Sequence, residues 1–223
     1  MAKKKIYAVR KGHKTGLFYT WADCQRATAG YSGAEFKSFA TKEEAMGFFE
    51  NKVWNNPDID ALNTAEKKAE TVTEDGVPMI QVPENTVIAY VDGSFQAALG
   101  RYSYGCVMLT SDGRVTRESG SGNNPDCAAI RNVAGEMLGA MTAVKWAMKE
   151  GCHAIELRYD YEGIEKWVTG VWKSKTPLTQ KYAAYMQKCA AAIRISFRKV
   201  AAHTGDYYNE EADQLAKAAL TNE

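Results

Sequence analysis

The sequence predicts an α/β protein: a mixed five-stranded sheet flanked by helices, preceded by a smaller α/β unit. Three observations lead there. Beyond residue 85, three strand patterns precede a long helical pattern, after which strand and helix patterns alternate, the order of a mixed sheet with helices on its faces. Residues 1–52 carry their own hairpin, helix, strand and helix patterns, punctuated by Gly. Between the two units periodicity fades and acidic and polar residues dominate. The chain therefore divides into units at 1–52 and 85–223, joined by a linker at 53–84.

In the first unit, KKIYAVRKGHKTGLFYTW alternates and turns at Gly12 and Gly16, giving two strands. TWADCQRATAG follows as a helix, with Thr20 as N-cap and Gly30 as its stop. AEFKSF is a third strand, and ATKEEAMGFFENKVW is a second helix in which Thr41 and Glu44 form a capping box. A local helix is expected within the linker, near 61–69. The second unit opens with the apolar strand TVIAYVDGS, and RYSYGCVMLTSDGRVTRESGSG adds two strands joined at Ser111, Asp112 and Gly113. RNVAGEMLGAMTAVKWAMKEG has helical spacing through Val133, Met137, Met141, Val144 and Met148 and stops at Gly151. AIELRYD is a strand, YEGIEKWVTG and TPLTQKYAAYMQKCAAAI are helices, and RISFRKVA is a strand. NEEADQLAKAALT closes the chain as a helix capped by Asn209.

Composition narrows the function classes. The chain has 223 residues, 45% of them hydrophobic, with no apolar run long enough to span a bilayer. Its basic start lacks the apolar core of a secretory leader, so a soluble cytoplasmic protein with no membrane partner is expected. Cys24, Cys106, Cys127, Cys152 and Cys189 are widely spaced and form no C-x-x-C pair, which argues against a disulfide framework or a zinc site. The net charge of +1 conceals a segregation, since residues 1–52 hold ten basic against five acidic residues and 53–84 hold two against seven. A basic excess on so short a unit points to a polyanion partner or to a solvated basic face.

Four acids stand in awkward places. Asp92 ends an apolar strand, where Asp is disfavoured, although Asp-Gly also makes a hairpin turn. Glu136 shares a helix face with Ala140, Ala143 and Ala147, so it points toward packing. Asp160 lies at the C-terminal end of AIELRYD, directed away from the side of Ile155, Leu157 and Tyr159, where open α/β sheets gather ligands. Asp213 shares a face with Ala216 and Leu220, whereas Glu210 and Glu211 suit an ordinary helix N-terminus. Singly, these acids fit a turn Asp, a paired Glu, a strand-end cap and a surface Asp. Drawn together from two strands and two helices, they would repel strongly unless cations neutralised them. Magnesium suits such a site because it binds through few carboxylates while keeping waters and phosphate oxygens, and two such ions serve phosphoryl transfer.

YVDGS, Glu136 in RNVAGEMLGA, Asp160 in IELRYDYEGIEKWV and HTGDYYNEEADQLAK resemble, in order and spacing, the four-carboxylate site of type 1 ribonucleases H. The likeness spans residues 87–220, and H-x-G…N-E-x-A-D from His203 to Asp213 is its most specific piece. The stretch YAVRKGHKTGLFYTWADCQRATAGYSGAEFKSFATKEEA is similar to the small hybrid-binding, viroplasmin-like domain that precedes the catalytic domain in some members. The resemblance implies a ribonuclease H-like fold and an endoribonuclease that cleaves the RNA strand of RNA/DNA hybrids, leaving 3′-hydroxyl and 5′-phosphate ends. It implies that Asp92, Glu136, Asp160 and Asp213 hold two magnesium ions, Mg2+ with Mn2+ as the alternative, and that Asp92 bridges them. His203 would assist proton movement or product release, an exposed loop histidine being the plainer reading. Asn132, one helical turn before Glu136, would contact a 2′-hydroxyl. The backbone at Gly93 and the neighbouring Ser94 would approach the RNA.

The same resemblance implies that Tyr7, Trp21, Phe36 and Lys37 meet the hybrid, and double-stranded RNA as well, with Lys14 and Arg10 as further phosphate contacts. Aromatic rings that stack and cations that meet phosphates are a general recipe for this, while Tyr7 and Phe36 also suit a core. Ser38 departs from relatives that carry a second Lys there, which implies a weaker grip. KWVTGVWKSKTPLTQKY is short where some relatives insert a basic protrusion, leaving Lys166, Trp167, Trp172, Lys173 and Lys175 to line a DNA channel. A monomer is expected. Two other readings stay open: a hybrid- or double-stranded-RNA-binding protein that does not cut, and another two-metal nuclease such as a transposase or junction resolvase.

Overall fold

The structure is a computed structural model that describes residues 5–49, 76–201 and 205–221. The N-terminal unit is an antiparallel sheet in the order β2-β1-β3, built from β1 (Ile6–Lys11), β2 (Gly16–Phe18) and β3 (Glu35–Phe39). The helix α1 (Trp21–Thr28) covers one face, with Cys24 and Ala27 against Val9. The helix α2 (Lys42–Phe49) covers the other, with Ala45 and Phe48 against Ala8. Thr20 caps α1, its Oγ1 accepting from Asp23 N at 3.2 Å, because an extended residue with a short oxygen side chain satisfies a free N–H of the first turn. The Glu44 side chain, the helix expected near 61–69 and His203 all lie outside the described residues.

The larger unit is a mixed sheet in the order β6-β5-β4-β7-β8. An antiparallel meander of β4 (Thr86–Gln96), β5 (Arg101–Thr110) and β6 (Val115–Gly122) is joined by β7 (Ala154–Tyr159), parallel to β4, and β8 (Arg194–Lys199), parallel to β7. The helices are α3 (Pro125–Ala128), α4 (Asn132–Lys149), α5 (Gly163–Lys166), α6 (Pro177–Cys189) and α7 (Tyr207–Thr221). α4 and α6 pack on the face that carries Val87, Ala89, Val91, Ile155 and Leu157. α7 covers the opposite face over Ile88, Tyr90 and Val107. Val77, Ile80 and Val82, assigned by sequence to the linker, pack on that second face, and Tyr208 Oη donates to the Pro78 carbonyl at 2.9 Å. Among the described residues no helix is long and apolar enough to cross a membrane.

Four local expectations are corrected. Asp92 does not end its strand and Asp-Gly is not a turn, because β5 remains as a partner and pairs Asp92 with Gly105 and Gly93 with Tyr104 before the chain turns at Gly100. Met148 is 39% exposed. The buried side of α4 is, as the sequence expects, the Glu136, Ala140, Ala143 and Ala147 face with Met137 and Val144, since alanines let a helix axis lie close to a sheet. The cap of α7 is Asp206, whose Oδ1 accepts from Asn209 N at 3.2 Å, so Asn209 falls inside the first turn and is buried. YEGIEKWVTG forms only the four-residue α5, after which the backbone doubles back and Trp172 N donates to the Lys166 carbonyl at 2.9 Å.

Candidate active site

The parallel pairing of β4 and β7 creates the site. Its last registered pair is Tyr90 with Arg158. Asp92 and Asp160 are each two residues further on, so they share one side of the sheet at the carboxyl ends of neighbouring parallel strands. Side chains fix this register: Arg158 Nη1 donates to Tyr90 Oη at 2.6 Å, and its Nε donates to Glu156 at 2.7 Å, in a buried pair below the acids. Glu136 comes from α4, which lies so close to β4 that a Cβ on Gly93 would stand 2.4 Å from Glu136 N. Only a residue without a side chain permits that approach.

One carboxylate oxygen from each of Asp92, Glu136 and Asp160 lies within 4.8 Å of the others. Glu136 is 1% exposed, and its Oε2 has no hydrogen-bond partner among the described residues. Burial, and then the Asp160 and Asp92 charges, push its carboxyl up to about 9. Burial likewise pushes Asp92 up to about 7, aided by Asp160 and Asp213 and opposed by the Gly93 N–H, which donates to Asp92 Oδ1 at 2.6 Å. Such a cluster, with an orphaned buried oxygen, fits a hard divalent cation that supplies the missing positive charge. Asp213 stands beside Asp92 but outside the three-acid group, its Oδ2 held by Lys217 Nζ at 2.6 Å. The sequence reading missed Lys217, which the spacing of four residues along α7 makes a natural partner.

A pH dependence follows. In the unfolded chain these carboxyls ionise near pH 4, whereas in the fold Asp92 keeps its proton to about 7 and Glu136 to about 9. Without metal, their contribution to stability is complete below pH 4 and is lost as pH rises through those values. In chelator, the Tm advantage of Asp92→Asn over the parent should therefore grow between pH 4 and 7 and then level off. A gap that is constant from pH 4 to 9 contradicts this.

The other expected contacts separate into two groups. Asn132 is exposed at the start of α4, one turn from Glu136, and half-buried Ser94 follows Gly93 on β4. Trp167 stacks near Tyr161, the residue after Asp160, at 5.7 Å, and near Trp172 at 6.2 Å. Trp167, Trp172, Lys173 and Lys175 line a cleft of about 450 Å³ with Thr176 and Thr179. In the N-terminal unit, Trp21 lies between Tyr7 at 5.6 Å and Phe36 at 5.9 Å, with Trp21 48% and Phe36 38% exposed, so these rings make a surface platform, whose Tyr7 is half-buried and also packs on the Val9, Cys24 and Ala27 core. Lys14 and Arg26 line a neighbouring cleft. Arg10 is turned inward, paired with Glu35 at 2.9 Å and set over the Phe48 ring, which withdraws it from the expected phosphate contacts. Lys37 is on the face opposite Phe36, where it donates to the Gly170 carbonyl.

Comparison with known proteins agrees with this arrangement. Residues 84–221 match the RNase H family model. The chain belongs to the ribonuclease H family. Residues 5–49 match a second model, the ribonuclease H1 N-terminal domain. The chain is 28% identical to human ribonuclease H1, over 95% of this chain and 88% of that protein. It is 30% identical to ribonuclease H of Chlorobaculum parvum, over 61% of this chain and 97% of that one. The crystal structure of RNase H1 from Halobacterium salinarum superposes with a TM-score of 0.52 at 27% identity, covering 61% of this chain and 98% of its own. The chain is thus a ribonuclease H by family, with an N-terminal domain of the ribonuclease H1 kind.

Proposed function

We propose that the protein is an endoribonuclease that hydrolyses the RNA strand of RNA/DNA hybrids, using two magnesium ions, or manganese in their place, and leaving 3′-hydroxyl and 5′-phosphate ends. The observation that carries the reading is the approach of Asp92, Glu136 and Asp160 to within 4.8 Å at the carboxyl ends of two parallel strands. These three and Asp213 would hold the ions. Once bound, the ions supply an activated water and neutralise the departing 3′-oxygen. The chain's own groups do the rest. Asn132 reads a 2′-hydroxyl, and Gly93 and Ser94 let the RNA backbone come close. Trp167 and its neighbours receive the DNA strand, and His203 assists proton movement or product release.

In this reading residues 1–52 hold the hybrid, and double-stranded RNA as well. Residues 85–223 cut, and 53–84 connect the two, in a monomer of a reducing compartment such as the cytoplasm. Cleavage assays on hybrid, double-stranded RNA and duplex DNA of one sequence, with magnesium and with chelator, test the proposal. Hybrid alone should be cut, only with the ion, and the products should be ligatable through their 5′-phosphates. Binding of all three duplexes without cutting would favour the non-cutting reading. Trp21→Ala should weaken hybrid binding about tenfold, since loss of a stacking ring removes about 1–3 kcal/mol. An unchanged Kd would remove the platform from the substrate path.

A further inference from the structure

Lys37 and Phe36 are neighbours in sequence but serve opposite surfaces. Residues paired across an antiparallel ladder share a face. The Val9–Phe36 and Tyr7–Ser38 pairs therefore lie on the α1 side, and the Ala8–Lys37 and Ile6–Phe39 pairs on the α2 side. Phe36 joins the aromatic platform, whereas Lys37 points to the apolar cluster of Ala8, Ala45 and Phe48. Val171 of the catalytic unit packs on that cluster together with Ile6, Leu17 and Phe39. At its edge Lys37 Nζ donates to the carbonyl of Gly170, the residue before Val171.

We propose that the two units form an intramolecular interface in which the α2 side of the N-terminal sheet seats on Gly170 and Val171, and that nucleic-acid phosphate competes with this seat for Lys37. The proposal rests on the reading of residues 1–52 as a hybrid-binding unit. The apolar contact of Val171 gives the seat its attraction, and the carbonyl gives Lys37 a partner where it is half-buried. That partner is a weak one, because a carbonyl offers a dipole while a phosphate offers a full charge and a hydrogen bond about twice as strong. Burial, and Lys173 nearby, already disfavour the charged ammonium in the seated position. The contact is narrow, as expected of an interface that opens. Seating leaves Tyr7, Trp21 and Phe36 on the far side of the sheet, free to engage a hybrid first. Lys37 then follows onto a phosphate and the seat is given up. In sequence the seat lies between Trp167 and Trp172, and Trp167 packs near Tyr161, the residue after Asp160.

The test uses the full chain. Without nucleic acid, ¹⁵N relaxation should give residues 5–49 and 76–221 a common rotational correlation time, and Val171→Asp should give the N-terminal unit a shorter one. Val171→Ser provides the same comparison should the charged variant fold poorly. In hybrid titrations with magnesium replaced by calcium, the neutral Val171→Ser, which adds no charge to the cleft that Val171 also lines, should tighten binding about threefold and steepen the salt slope by about one, as one more phosphate contact becomes available. Lys37→Met added to Val171→Ser should cancel both changes. Independent tumbling in the parent overturns the seat, and an unchanged affinity and salt slope in Val171→Ser overturn the competition. Trp21→Ala run alongside separates the two readings: if it leaves hybrid binding intact, the hybrid-binding role fails, while the relaxation data still decide the seat.

Discussion

Asp92→Asn should reduce hybrid cleavage by about 10³-fold or more, the scale of losing a preorganised electrostatic group, and should leave a folded chain that still binds hybrid. The substitution keeps the shape of the side chain and its acceptor from Gly93 N, so the β4 and β5 ladder is undisturbed. What it removes is a negative charge of the proposed ion site. The same charge is a burden without metal, because Asp92 sits in a half-dry cluster with Glu136, Asp160 and Asp213 around it. At pH 8 in chelator the variant should therefore melt above the parent, by roughly 1–3 kcal/mol of stability. Saturating magnesium should narrow or reverse the gap, since ions bound to the native parent stabilise it by mass action. Turnover within tenfold of the parent by a purified variant would remove Asp92 from the chemistry. Loss of activity together with loss of the folded signal would leave only a structural role.

Gly135→Ala should destabilise the chain by about 3 kcal/mol, at the upper end for an overpacked contact, and lower activity as well. A Cβ at this position would lie 1.8 Å from the Ser103 carbonyl oxygen and 3.0 Å from Gly93 Cα. Both are backbone atoms of paired strands, so neither can rotate aside, and α4 itself must move away from the sheet. Glu136 is the next residue, and its carboxyl moves with the helix. Gly139→Ala, one turn along the same helix, is the control. Its Cβ would find Tyr104, Cys106 and Val91 side-chain atoms at 3.4 to 3.5 Å, which is ordinary contact. Ala is favoured over Gly in a helix by about 1 kcal/mol, so that variant should be neutral or slightly stabilised. Equal melting temperatures for the two variants would mean that α4 is not pressed on β4 as described.

The architecture was largely readable because its signals are local. Apolar alternation marked the strands and the long α4 periodicity marked the helix, while Thr20 sat where a first turn needs an oxygen. The acids were visible as residues out of place, and their meeting at one point follows from strand order, which local patterns imply only through the general rules of α/β sheets. What escaped the sequence was tertiary. The extension of β4 through Asp92 and Gly93 depends on β5 being present as a partner, and the retreat of Arg10 depends on Glu35 across the sheet. Asn209 lost the cap to Asp206 because the helix begins three residues earlier than its polar pattern suggests, and both residue types cap well. The α3 turn carried a usable sign in Asn124 followed by Pro125, but four residues are too few to show periodicity.

α7 follows the strands it covers in chain order, and that order has a temporal consequence. It supplies Asp213 and also covers Ile88 and Tyr90, so neither the full set of acids nor the second layer over the sheet exists until α7 has been synthesised. The aromatic platform of Tyr7, Trp21 and Phe36 emerges from the ribosome far earlier. A chain that still lacks α7 thus has the aromatic platform before it has the fourth acid and the covering layer.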